Sequence, residues 1–328
     1  MPLRAPEFWR HDGAASRLLA PLAAIYDAAA AARYGQGSPS SAAVPVICVG
    51  NLTIGGAGKT PVVLSLAKRL SSRGYRVHIL SRGYGGRARG PLLVDPKRHE
   101  ARDVGDEPLL LARVAPCWVA RSRPDGARAA VESGAQAILM DDGFQNPSLA
   151  KNWSLLVIDG AYGLGNGRVF PAGPLRENST RGFARADAVV MLGRDETGLA
   201  ARLAGKSVLR ANLVPAPQVK FQDRKFIAFA GIGQPGKFFR SAEAAGAVLL
   251  TRHEFADHHR YSESELRSLM MRSRASGAAL LTTEKDWVRL PQEWRVRIEF
   301  LPVHVEWSEP IALDMLLDNV MKHGTPHG

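Results

Sequence analysis

One stretch constrains this chain more than any other: an apolar run, V-I-C-V-G at 46–50, followed by N-L-T-I-G-G-A-G-K-T-P. Four apolar residues without polar alternation predict a strand buried on both faces. The glycines supply a turn free of side chains, and Gly58-Lys59-Thr60 opens a helix that Gly74 closes. A strand, a glycine-rich turn and a helix in that order make a phosphate cradle, because the N–H groups at the helix start converge on an anion. The usual spacing is G-x-x-x-x-G-K-[ST], and the first glycine position here holds Thr53. Ile54, Gly55, Gly56, Ala57 and Gly58 complete the turn, which three glycines keep open. Lys59 is expected to reach the β- and γ-phosphates and Thr60 to ligate Mg²⁺. A plain strand–helix turn would leave the lysine without a purpose.

Beyond the turn, strands are expected over 46–49, 76–80, 117–120, 137–140, 154–158 and 188–192. Helices are expected over 59–73, 108–114 and 124–133. Strands separated by helices imply crossover connections and a largely parallel sheet. The irregular loop over 163–177 follows a strand of that sheet, a place where functional lids occur. Past residue 198 the pattern weakens. A second α/β set follows, with strands over 226–230, 247–250 and 278–281 and helices over 236–245 and 262–276. The fold class is therefore α/β: a mostly parallel sheet of the P-loop NTPase type with helices on both faces, a smaller C-terminal α/β domain, and an N-terminal amphipathic helix. The expected domains are 1–40 (helix and a linker broken by Gly, Ser and Pro over 35–41), 41–205 (nucleotide domain) and 206–328 (C-terminal domain closing over the site).

The 328 residues are 45% hydrophobic and 23% charged, which supports a sizeable core, and the formal net charge is +12. A basic face suits an anionic partner, although arginine also serves simply for solubility. No nucleic-acid recognition motif accompanies the charge, and no protein partner is evident. The two cysteines, Cys48 and Cys117, lie in apolar runs and predict small core residues in a reducing compartment. No compact apolar core is followed by a small-residue cleavage site, so a secretory signal is not expected in the N-terminal stretch. The Ala-rich run over 18–32 contains Pro21 and Asp27 and is too short and weak to span a bilayer, which takes about 20 strongly apolar residues. Phe8, Trp9, Leu18, Leu22, Ile25 and Tyr26 can nevertheless share one helical face. Such a face lies in a membrane interface or packs on its own domain.

A phosphate cradle needs a carboxylate at the end of a neighbouring strand. I-L-M-D-D supplies Asp141 and Asp142, one of which should face Mg²⁺. Gly231-Ile232-Gly233-Gln234-Pro235-Gly236 is formally a dinucleotide fingerprint, but no acidic residue ends a second strand where a ribose would need it. The better reading is a tight strand–helix turn that sets one domain against the other. Asp257-His258-His259 lacks a third ligand at zinc spacing.

In order along the chain stand G-N-L-T-I-G-G-A-G-K-T-P, S-R-G-Y-G-G, V-G-D-E-P, M-D-D-G-F-Q, G-N-G-R-V-F-P-A-G-P-L-R-E, A-G-I-G-Q-P-G-K-F-F, F-A-D-H-H and L-T-T-E-K-D. Together they resemble the tetraacyldisaccharide 4'-kinase family of the Gram-negative lipid A pathway. In that family a threonine at the position of Thr53 is ordinary. The resemblance implies transfer of the γ-phosphate of ATP to the 4'-hydroxyl of an anionic, acylated disaccharide lipid. It also implies work at the cytoplasmic face of the inner membrane, with the N-terminal helix as a peripheral anchor. It implies that Lys59 and Thr60 contact phosphate and Mg²⁺, that Asp141, Asp142 and Glu177 lie near the metal, and that Gln145 lies near the phosphates. Asp106 and His258 are implied as a carboxylate–imidazole catalytic pair. The arginines Arg82, Arg87, Arg89, Arg121 and Arg123 suit a phosphate-bearing substrate, with Arg82 foremost because it lies in S-R-G-Y-G-G.

Overall fold

The computed structural model describes residues 6–35, 38–203 and 205–323; residues 36 and 37 of the expected linker fall outside them. Three short N-terminal pieces come first: a 3₁₀ turn at Glu7–Trp9, α1 (Ala14–Leu18) and α2 (Ala20–Gly35). The strands follow as β1 (Val46–Gly50), β2 (Val77–Ser81), β3 (Leu92–Leu93), β4 (Cys117–Val119), β5 (Ala137–Asp141), β6 (Trp153–Asp159), β7 (Ala188–Leu192) and β8 (Ser207–Pro215). Between them lie α3 (Lys59–Ser72), α4 (Ala101–Val104), α5 (Asp106–Leu111), α6 (Arg123–Glu132), α7 (Ser179–Arg185) and α8 (Leu199–Arg202). The remainder comprises β9 (Lys225–Ala230), α9 (Pro235–Ala244), β10 (Val248–Glu254), α10 (Glu263–Ser276), β11 (Ala279–Thr283), α11 (Glu284–Trp287), α12 (Gln292–Arg295), β12 (Glu299–Leu301), β13 (Val303–Trp307) and α13 (Pro310–His323).

Nine strands form one sheet in the order β13-β8-β7-β6-β1-β5-β2-β4-β3. Pairing is parallel from β8 to β4, and the two edge strands, β13 and β3, run antiparallel. β1 sits between β6 and β5, so the phosphate turn and the end of β5 emerge side by side. Every residue of β1, β2, β5, β6 and β7 is buried, as uninterrupted apolar runs require when helices cover both faces. Two apolar clusters, one on each face, form the core. Cys48 and Cys117 are buried free thiols within it, and burial pushes Cys48 up to about 12. The smaller sheet is parallel throughout, in the order β10-β9-β11-β12.

Sheet membership differs from the expected division at residue 205. β8 belongs to the large sheet, the small sheet occupies only Lys225–Leu301, and the chain then returns through β13 to pair with β8. Only Leu209 and Ala211 of β8 are well buried before the strand ends, so no continuous apolar run announces it. α13 closes the large unit: Leu313 and Leu317 are fully buried, Asp318 accepts from Arg73 at 2.9 Å, and Asp314 pairs with Arg69 and Arg73 of the α3 region. Trp307 Nε1 donates to Ser65 Oγ at 2.9 Å and fastens β13 to α3.

The N-terminal segment also departs from a single apolar face. Trp9 is buried, donates to the Pro171 carbonyl at 3.1 Å, and packs edge-on against Phe170, as does Tyr26. Leu18, Leu22 and Ile25 point outward, 82%, 55% and 68% exposed. The aromatic residues dock the segment on the protein, while the aliphatic ones form a separate outward stripe. No helix among the described residues is long and apolar enough to cross a membrane.

Candidate active site

The phosphate turn is held open by its neighbours. Gly55 and Gly58 take φ of +115° and +84°, which a side chain resists, and Gly58 also lies where a Cβ would meet Leu192 Cδ1 at 2.4 Å. Thr53 needs no such freedom. It forms an antiparallel bridge with Leu175, while Ile54 N donates to the Pro174 carbonyl at 2.7 Å and Arg176 N to the Leu52 carbonyl at 2.7 Å. The loop over 163–177 is therefore stitched to the phosphate turn along its final residues rather than standing free as a lid. This explains the absent first glycine: position 53 is extended backbone in a bridge, where a β-branched residue fits.

Lys59 opens α3, almost fully buried, and its Nζ donates to Asn51 Oδ1 at 3.1 Å and lies 3.6 Å from Asp142. Asn51 is buried and donates to the Thr53 carbonyl at 2.7 Å, so it braces both the lysine and the turn. Asp142 receives Arg176 Nη1 on both oxygens at 3.0 and 3.1 Å. Burial alone would raise its pKa, but Lys59 and Arg176 outweigh burial and hold it below the usual carboxylate range. Asp141 is the opposite case. It is raised, first by burial and then by the negative charges of Glu107 and Asp142. Both its oxygens are buried without a hydrogen-bond partner among the described residues.

A buried carboxylate with no donor is a costly arrangement unless a cation completes it. The donor set suits Mg²⁺, which takes one or two carboxylates and a helix-start hydroxyl and otherwise prefers phosphate and water oxygens. Asp141, Asp142 and Thr60 fit that description. Glu177, expected near the metal, accepts from Arg185 Nη2 on both oxygens at 2.8 and 2.7 Å and from Gln145 Nε2 on Oε1 at 3.1 Å. Gln145 also donates to the Asn51 carbonyl at 3.0 Å. Glu177 thus orders Gln145 behind the phosphate turn. Arg185 is itself sandwiched, 4.0 Å from the Tyr34 ring centroid and 5.0 Å from that of Phe144.

A cavity of about 1450 Å³ runs between the two sheets. Lys59, Thr60, Asp141, Asp142, Gln145 and Glu177 line it on one side, and Asp257, His258 and Lys285 on the other. Arg82 and Arg121 reach it as exposed side chains; Arg123 reaches it buried, donating Nη1 to the Ala120 carbonyl at 2.5 Å and leaving Nε unpartnered. Arg87 and Arg89 are not among its lining residues. Asp106 itself lies just behind the wall, 6% exposed, and its Oδ2 is 3.0 Å from His258 Nδ1. Burial would raise Asp106, but the His258 hydrogen bond and the Lys285 and Arg289 charges leave it well below the carboxylate range.

His258 takes φ of +58°, an uncommon conformation for a residue with a side chain, fixed by its N–H on the Gly231 carbonyl at 3.1 Å. The ring of Tyr84 from S-R-G-Y-G-G stands edge-on 5.8 Å away. His259 turns elsewhere, to Glu265 at 3.1 Å, so the two histidines serve separate partners. The glycine turn at 231–236 also lies against the large unit: a Cβ on Gly233 would sit 3.9 Å from Gly56 N. Beside it, Lys237 and Gln234 donate to Asp159 Oδ2, at the end of β6, at 2.5 and 3.1 Å.

Several of these residues escaped the sequence reading. Asn51, Arg176, Lys237 and Lys285 lie inside the matched stretches and were signalled only by position. Arg185 and Arg289 lie outside them and carry no local signal.

Fold and site together define an α/β phosphate-loop protein whose nucleotide cradle faces a carboxylate–imidazole pair across a cleft. The family model for tetraacyldisaccharide-1-P 4'-kinase matches residues 15–322. A tetraacyldisaccharide 4'-kinase of Paramagnetospirillum magneticum is 53% identical, over 97% of this chain and 99% of its own length. One from Rhodospirillum rubrum is 50% identical over 97% and 98%. The crystal structure of the Aquifex aeolicus family member LpxK in complex with ATP superposes with a TM-score of 0.76 at 28% identity, covering 93% of this chain and 99% of that one. The chain belongs to the tetraacyldisaccharide 4'-kinase family, the ATP-dependent kinases of lipid A biosynthesis.

The donor-free Asp141 carboxylate leads to a direct expectation. Adding Mg²⁺ to the ATP-saturated protein should raise its melting temperature, and Asp141→Asn should abolish that rise while melting within about 4 °C of the parent without Mg²⁺. A variant that keeps the full Mg²⁺-dependent rise would remove Asp141 from the cation site.

Proposed function

We propose that this chain carries out the family's 4'-phosphorylation with His258 as the base, oriented by Asp106, and with Lys59 and the phosphate turn as the electrostatic cradle. The observation that carries the reading is the 3.0 Å contact between Asp106 and His258, made across the cleft that faces Lys59. A sugar hydroxyl is a poor nucleophile and needs a base poised near neutral pH. With its proton on Nδ1, donated to Asp106, His258 offers Nε2 to the acceptor hydroxyl. Asp106 is held ionised, so it remains an acceptor throughout the working range and stabilises the imidazolium as the hydroxyl proton arrives. Phosphoryl transfer otherwise depends on position and charge. Lys59, braced by Asn51, and the N–H groups of residues 54–60 hold the transferred phosphate; Gln145, ordered by Glu177, lines its flank.

Asp141, Asp142 and Thr60 would hold Mg²⁺, with Asp142 also tying Lys59 to Arg176. When bound, the ion neutralises charge on the phosphate oxygens. Arg82, Arg121 and Arg123, which all line the cavity, are assigned to the anionic end of the lipid acceptor.

The acceptor's acyl chains require a lipid surface nearby. The outward Leu18, Leu22 and Ile25 stripe, on a segment fastened by Trp9 and Tyr26, supports peripheral attachment at the cytoplasmic face of the inner membrane. Asp27 fixes this segment to the site loop, accepting from Asn178 N at 2.9 Å and from Arg181 Nη2 at 2.5 Å.

The deciding assay follows label from γ-labelled ATP into the acylated disaccharide. His258→Ala should lower turnover by about 10²–10⁴-fold with ATP affinity changed little; a variant with normal turnover would exclude His258 as base. Replacing Leu18, Leu22 and Ile25 together by Ser should release the protein from anionic vesicles without altering its fold, whereas undiminished binding would exclude this stripe as the anchor.

A further inference from the structure

Arg289 is a nearly buried cation at the junction of the two units that the phosphate cradle does not use. Its side chain is 4% exposed, yet every face of the guanidinium is engaged. Nε donates to Asp106 Oδ2 at 2.7 Å, and Nη2 donates to the same oxygen. Nη1 donates to the Gly231 carbonyl at 2.6 Å and to Asp286 Oδ1 at 2.8 Å. The Gly231 carbonyl also accepts the His258 backbone N–H, so one guanidinium grips both the Asp106 carboxylate and the backbone that carries His258. Asp286, fully buried, anchors the arginine from behind: its oxygens accept from Gly231 N at 3.0 Å, Tyr261 Oη at 2.9 Å and Thr283 Oγ1 at 2.6 Å.

We propose that Arg289 is a positioning residue for the phosphoryl-transfer base, holding Asp106 Oδ2 against His258 Nδ1 and limiting how tightly the imidazole keeps its proton. The proposal rests on the assignment of His258 as base. Arg289 Nη2 lies 3.3 Å from His258 Nδ1, and both have only protons to offer there, so Oδ2 is the acceptor they share. That contact keeps the Nδ1 proton directed at Asp106 and leaves Nε2 as the basic nitrogen.

The charges facing the ring are Asp106 from α5, Arg289, Lys285 from α11 at 3.5 Å from Nε2, and Asp257 at 3.9 Å, with Tyr84 edge-on. Lys285 is itself held by Glu107 at 3.0 Å. Without Arg289 the Asp106 charge would fall more fully on His258, which would then bind its proton more tightly and be less often free to act.

The test compares full-length Arg289→Gln and Arg289→Lys with the parent and with His258→Ala. Turnover is measured against pH with saturating ATP. The imidazoles are titrated by NMR, and His258 is picked out from the nine histidines by its loss in His258→Ala. Arg289→Gln should lower kcat at neutral pH at least about tenfold with KM for ATP within about twofold, and should move both the acid limb and the His258 titration up by about one pH unit. Arg289→Lys should return the limb to its parental position and restore only part of kcat.

Unmoved limb and titration in Arg289→Gln, or parental kcat in that variant, would overturn the proposal. If Arg289→Gln does not fold, Arg289→Lys decides: a severalfold lower kcat with an unmoved limb supports the proposal, and parental kcat overturns it. Normal turnover in His258→Ala would instead sink the base assignment, a result separate from a normal Arg289→Gln beside an inactive His258→Ala.

Discussion

A carboxylate almost entirely removed from water must be compensated by its surroundings, and Asp106 is compensated from the other side of the cleft. It starts α5 in the large unit, while His258, which hydrogen-bonds to it, and the cations Lys285 and Arg289, which hold it ionised, all come from the segments around the small sheet. The Asp159 contacts with Lys237 and Gln234, at 2.5 and 3.1 Å, join the same two units a short way along the cleft. An isolated ion pair at a surface contributes little. Removing one partner of a buried pair is far costlier, because the remaining charge is left uncompensated. The Asp106–His258 contact and the packing of the two units are therefore one electrostatic arrangement.

The phosphate side of the site follows the same logic with the signs divided between neighbours. Asp141 and Asp142 are adjacent but pushed in opposite directions, one raised by burial and nearby negative charge, the other lowered by Lys59 and Arg176. The compensated aspartate orders the lysine. The uncompensated one has no donor on either oxygen among the described residues, and a divalent cation would compensate it. Around them a chain of contacts runs from Tyr34 through Arg185, Glu177 and Gln145 to Asn51 and Lys59, so the N-terminal segment is connected to the phosphate turn.

What could be read from the residues alone was what is local. The strand, turn and helix around Lys59 are specified within a few residues of each other, and so was the carboxylate pair at the end of β5. Asp106 and His258 were legible only through the family resemblance, since nothing in either neighbourhood says that they meet. Arg289 was invisible because its importance depends on Asp106, Gly231 and His258, all distant in sequence. Thr53 was legible as an anomaly but not as a β-bridge, which needs Leu175 from a remote loop. Sheet membership does not follow the division at residue 205 for a related reason: β13 returns to the large sheet after the small sheet is complete, and sequence order cannot show a return. Glu177 was expected near a metal through the family resemblance of L-R-E; its contacts with Arg185 and Gln145, from elsewhere in the chain, were not legible.

The most direct measurement is a double-mutant cycle on kcat with Asp106→Asn, His258→Ala and the two combined. Groups that act as one unit are not additive. The account predicts that the double variant turns over no more slowly than His258→Ala alone, because Asp106 acts through the imidazole. A double variant slower than His258→Ala by the full factor of Asp106→Asn would contradict it, showing that the two residues contribute independently.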